Sequence, residues 1–95
     1  MDLEVVKIKV YKQERKVKVT FDFGQYAEFM PFGKDFITTT SEAIFKKDVR
    51  FIGEKVNQLD YFQRHKDRND PVLYEIKGAE NELKQFIGKK VKSVN

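Results

Sequence analysis

Two alternating runs near the start of the chain, VVKIKVY over 5–11 and KVKVTFDF over 16–23, restrict more than anything else what it can fold into. Side chains on a strand point to opposite faces in turn, so each run has one apolar and one polar face. Val6, Ile8 and Val10 share a face in the first run; Val17, Val19, Phe21 and Phe23 share one in the second. A turn over the intervening KQER sets Val10 against Val17, Ile8 against Val19 and Val6 against Phe21. Every apolar side chain then falls on one side, and a slip of one residue would turn a whole strand to water. An antiparallel hairpin with a core face is the expectation.

The same register dictates the opposite face. Lys9 lies across from Lys18 and Lys16 across from Tyr11, with Lys7 beside them. Directly opposed like charges weaken a sheet by some tenths of a kcal/mol up to about 1. Lysines of this kind keep an exposed or edge hairpin from aggregating. The functional alternative is a basic face bearing one tyrosine, shaped for phosphates, and a third is that carboxylates from another strand cover it.

Farther along, the periodicity is less even. Tyr26, Phe29 and Met30 have the spacing of a short helical turn stopped by Pro31, while Ala27 and Phe29 fit one face of a strand nearly as well. KDFITTT over 34–40 reads as a short strand. Thr39 and Glu42 have capping-box spacing, and Phe45, Val49, Ile52, Val56 and Leu59 then recur at helical steps. A helix is expected over 41–62, with two strands as the alternative. QRHKDRNDP over 63–71 is a polar loop. VLYEIK over 72–77 alternates like a central strand. GAENELKQFIGKKV is expected to be a helix with Leu83, Phe86, Ile87 and Val91 on one face, Gly88 as a stop signal, and a tail or short final strand after it. Residues 92–95 read as a frayed tail. The whole is one α+β domain over 1–95: an N-terminal hairpin in a mixed or antiparallel sheet of 3–5 strands, about two helices on one face, in the approximate order ββ(β)αβα.

Composition excludes much chemistry. The 95 residues contain no cysteine, so disulfides, thiolate metal sites and a cysteine nucleophile are out. The single histidine, His65, sits among Arg64, Lys66 and Arg68 in the polar loop with no orienting partner in view. Ser41 and Ser93 make poor nucleophiles, DRND lacks the glycine and closing glutamate of a calcium loop, and the five glycines form no phosphate-binding loop. A non-enzymatic protein without metal or cofactor is expected. No apolar run approaches the roughly 18–20 residues of a membrane span, and the first residues do not resemble a signal peptide, so a soluble, cytoplasmic protein is expected.

The net charge of +4 is unevenly spread. Residues 1–20 hold six basic and three acidic side chains, whereas 21–45 hold one and four. The acidic stretch, FDFGQYAEFMPFGKDF, is also the most aromatic. Its second half supplies candidates for a protein interface: Tyr26, Glu28, Phe29, Met30 and Phe32. An accessory protein acting by protein contact is the first expectation, as adaptor, subunit, inhibitor or homodimer. The other is a nucleic-acid-binding module using Lys7, Lys9, Tyr11, Lys16 and Lys18 on the hairpin face with Arg64, Lys66 and Arg68 in the loop.

Overall fold

A computed structural model describes residues 2–30, 37–59 and 73–93. The elements are β1 (Asp2–Tyr11), β2 (Lys16–Phe21), β3 (Tyr26–Phe29), β4 (Ile37–Thr40), helix α1 (Arg50–Gln58), helix α2 (Leu73–Leu83) and β5 (Lys90–Lys92). Among the described residues the strands form one five-stranded sheet in the order β4-β3-β2-β1-β5, and every pairing is antiparallel. The α+β class and the N-terminal hairpin are therefore as expected. The order differs, because a helix stands where the VLYEIK strand was expected and the chain closes on a strand.

Most of the hairpin register is the expected one, with Val10 against Val17, Ile8 against Val19 and Lys9 against Lys18. It changes at Val6. Val5, not Val6, lies opposite Phe21, and Lys7 is already opposite Thr20, so one extra residue is accommodated as a β-bulge. The cause lies in the sequence: Leu3 and Val5 are out of phase with Ile8 and Val10, and only an inserted residue lets all four face inward. Val6 is accordingly 47% exposed while Val5 is fully buried. Val5→Ala is thus expected to lower stability by roughly 2 kcal/mol. Val6→Thr should stay within about 0.5 kcal/mol, both read from urea denaturation midpoints.

The inner face of the sheet carries Leu3, Val5, Ile8, Val10, Val17, Val19, Phe21, Ala27, Phe29 and Val91, all buried in one cluster with Ile44, Val49, Ile52, Val56, Leu59, Ala79 and Leu83. The stripe on α1 is real from Val49 to Leu59, but the helix begins at Arg50 after a single 3₁₀ turn over Lys46–Val49. Thr39 and Glu42 do not cap it. Thr39 lies in β4 opposite Glu28, and Ser41 continues the ladder, accepting the Tyr26 N–H on Oγ and donating its own N–H to Tyr26 O, both at 2.8 Å. Phe45, expected to begin the stripe, is exposed on extended backbone. Ile44 then bridges to Ser93, curling the chain past one sheet edge toward the other.

Helix α2 takes the residues read as a central strand. Leu73, Ile76, Ala79 and Leu83 recur at helical spacing over 11 residues, a longer pattern than the six-residue alternation that competes with it. Ala79 and Leu83 are buried. From this helix Glu80 accepts the Val10 N–H on Oε1 at 3.0 Å. That N–H points away from β2, so the carboxylate caps an edge that β5 leaves open. The last helix ends at Leu83 rather than running to Val91; Ile87 is exposed, Gly88 has φ 95°, and Val91 is buried in β5. Lys92 pairs with Asp2 and Ser93 with Ile44, which corrects the frayed tail by two residues.

Phe23 is the other correction. It does not continue the core face of β2 but sits with Gly24 at the tip of the β2–β3 connection, at φ 60° and ψ 27°. Gly24 follows at φ 73°, and Gln25 N–H donates to Asp22 O at 3.4 Å, the arrangement of a type I′ turn. Such turns favour Asn-Gly, and an L-residue held in the left-handed region costs about 1–2 kcal/mol. Phe23 is nonetheless 68% exposed, so burial returns little of that cost.

Candidate functional site

The face of the sheet turned away from the helices brings together residues that belong to both candidate groups. The Lys9–Lys18 pair of β1 and β2 continues into Glu28 on β3, which lies directly opposite Lys18, and then into Thr39 on β4. One step along, Lys7, next to the bulge residue Val6, opposes Thr20, which opposes Tyr26. One step the other way, Tyr11 opposes Lys16. Among the described residues β2 is central in the sheet, whereas β1 is covered by β5 only over Asp2–Glu4 and is an open edge beyond Val5; this face is the polar side of the hairpin.

The like charges are managed by their neighbours. The Lys16 ammonium bonds the Glu28 carboxylate diagonally at 2.8 Å. Lys9 and Lys16 stand 5.2 and 5.5 Å from the centre of the Tyr11 ring, and Lys18 stands 4.8 Å from that of Tyr26. An ammonium over a tyrosine ring at such distances is worth roughly 0.5–1 kcal/mol where water can reach it. Each lysine of the crowded pair thus has a ring to turn to. The expected partial cover by a carboxylate from another strand is Glu28.

The hydrogen bond that Lys16 donates to Glu28 raises the Lys16 pKa above its ordinary value of 10.5, with the carboxylate's charge adding to it. A raised amine pKa in the folded state makes the pair's contribution complete below the ordinary value. It is lost only as the pH climbs through the raised one. The face carries Lys7, Lys9, Lys16 and Lys18 around Glu28, with Glu4 farther along β1 opposite Lys90.

Of the residues expected at a protein interface, Tyr26 and Glu28 belong to this lysine face. Phe29 does not belong to any surface: it is fully buried between Val17 and the inner core, because the strand reading of QYAEF and not the helical one is realised. Met30, 43% exposed, follows β3. Phe32 lies outside the described residues, as do Arg64, His65, Lys66 and Arg68. The sequence reading missed Tyr26 as a second ring on the basic face and Glu28 as its counter-ion. The signal was the alternation Tyr26, Glu28 against Ala27, Phe29, masked by the equally good helical spacing.

Among the described residues there is no group of three or more acidic or histidine side chains that could hold a metal ion, and no helix is long and apolar enough to cross a membrane. Family models, curated proteins and solved structures give no match to this chain.

Proposed function

We propose that the protein binds single-stranded nucleic acid on this sheet face. The observation that carries the reading is the interleaving of Tyr11 and Tyr26 with Lys7, Lys9, Lys16 and Lys18 on adjacent strands. Binders of single strands combine a basic track for the phosphates with aromatic rings on which bases stack. A duplex offers phosphates but keeps its base faces stacked away, so the rings favour the unpaired form. Because the lysines already lie over the rings, an arriving base displaces an ammonium toward the phosphate beside it, exchanging a cation–π contact for an ion pair.

The test is a salt titration of binding to oligo-dT and oligo-U, with a polyglutamate peptide of equal charge as comparison. With Lys16 partly engaged by Glu28, about three phosphates are expected to be neutralised, giving a log–log slope near −2 for a single strand. Affinity should then fall about 20-fold between 50 and 200 mM salt. No retention of either oligonucleotide at low salt overturns the reading. Equal affinity for polyglutamate also overturns it, leaving a general acid-binding face.

The protein-contact reading stands second. Its support moves to the helical side, where the exposed Phe51 meets the half-buried Phe86 edge-on at 5.5 Å beside the exposed Ile87.

A further inference from the structure

The β2–β3 tip is the place where the fold gains least from its residue. Phe23 occupies the first central position of a type I′ turn, φ 60°, where asparagine would be unstrained, and its side chain is 68% exposed. Left-handed backbone at an exposed aromatic is stored strain without a packing reason, and strain of this sort accompanies functional positions. Phe23 lies three residues before Tyr26, at the end of β2 nearest the bulge, where Val6 adds an exposed apolar side chain.

We propose that Phe23 is a stacking platform for an unpaired base, extending the tyrosine–lysine face to the hairpin tip; this rests on the reading of that face as a nucleic-acid site. The spacing of the rings supports it. Tyr11 and Tyr26 are paired to Lys16 and Thr20, four residues apart on β2, and stand on strands either side of it. They are therefore separated by about 16 Å, too far to clamp one base, so each ring takes its own. A third ring beyond Tyr26 continues the same path.

The charges at the tip say what is contacted there. Within the turn Asp22-Phe23-Gly24-Gln25 the one charged side chain is Asp22, whose Oδ1 accepts the Glu4 N–H at 3.1 Å. Gln25 donates its side-chain amide to Phe23 O at 3.3 Å. A carboxylate beside the ring disfavours a phosphate, so the tip meets a base and not the backbone of the ligand.

Phe23→Asn separates this role from folding. Asparagine is the favoured residue of the turn, so thermal stability should be equal or higher. Affinity for a ten-nucleotide oligo-dT should fall about tenfold, while the salt slope stays that of wild type, since no phosphate contact is lost. Unchanged affinity overturns the proposal. Phe23→Trp supplies a second readout: the natural chain has no tryptophan, so the new one reports alone. Its fluorescence should be quenched on saturation with oligo-dT, and an unquenched signal at saturation overturns the proposal even if Phe23→Asn folds poorly. If wild type binds no oligonucleotide at low salt, the face itself has failed; if lysine reversals abolish binding and both Phe23 variants are silent, only the tip has.

Discussion

Replacing Phe29 by alanine is expected to remove about 3–5 kcal/mol of folding stability. Phe29 is fully buried, lies opposite Val17 on β2, and is among the largest side chains of the core. A domain of this length has roughly 5–14 kcal/mol in total. The loss is large for two reasons that add: the transfer energy of the ring, and a cavity that a sheet pinned by neighbours on both sides cannot close. β3 is such a strand, with β2 on one side and β4 on the other. The expected result is a urea midpoint lowered by about a fifth or more, with the slope of the transition kept. Met30→Ala, one residue on and exposed, should shift it by no more than about 0.5 kcal/mol. An alanine variant at Phe29 with wild-type stability would return that residue to the surface and undo the register of β3.

How much of this was legible depended on how many patterns competed for the same residues. From Ile8 to Val19 the alternation had no rival, and the pairing of Lys9 with Lys18 followed directly from it. At Val5-Val6 two neighbouring valines allowed either phase. The choice was settled by Leu3, which pairs with Val91 from the far end of the chain, a contact that no local window contains. Phe23 followed the alternation and was placed inside. The period in fact breaks one residue earlier, because Gly24 needs a turn and a I′ turn takes the residue before its glycine with it. VLYEIK misled for the opposite reason: six alternating residues are too few to outweigh a helical pattern that continues to Leu83.

The candidate site was half legible for the same reason. Lysines and Tyr11 come from adjacent strands of one hairpin and could be aligned by counting. Tyr26 and Glu28 join them only once β3 is a strand paired to β2, and an ambiguous period hid that pairing. Tyr26 and Glu28 from one candidate set and the hairpin lysines with Tyr11 from the other are neighbours on one face. Glu28, read as company for an aromatic interface, is instead the carboxylate that makes a lysine-crowded face tolerable to the fold.

Charge reversal on β1 should therefore separate the needs of the fold from those of the ligand. Lys9→Glu turns a like-charge pair with Lys18 into an opposite-charge pair, a change worth roughly 0.2–1 kcal/mol in favour of folding. The contact of Lys9 with Tyr11, 5.2 Å from the ring centre, is lost at a cost of about 0.5–1 kcal/mol, so stability should stay within about 1 kcal/mol of wild type. Binding should move the other way. Reversing Lys7 and Lys9 together removes two phosphate contacts and faces the strand with two carboxylates. At about a tenfold loss for each 1.4 kcal/mol, affinity for oligo-dT is expected to fall at least about 100-fold. The slope of the salt dependence should shrink by about 1.4, roughly 0.7 for each contact removed. Melting temperature and affinity measured on the same preparations give the comparison. A protein of undiminished stability that has lost its affinity places the ligand on the lysine face, whereas undiminished affinity removes that face from any role in binding a polyanion.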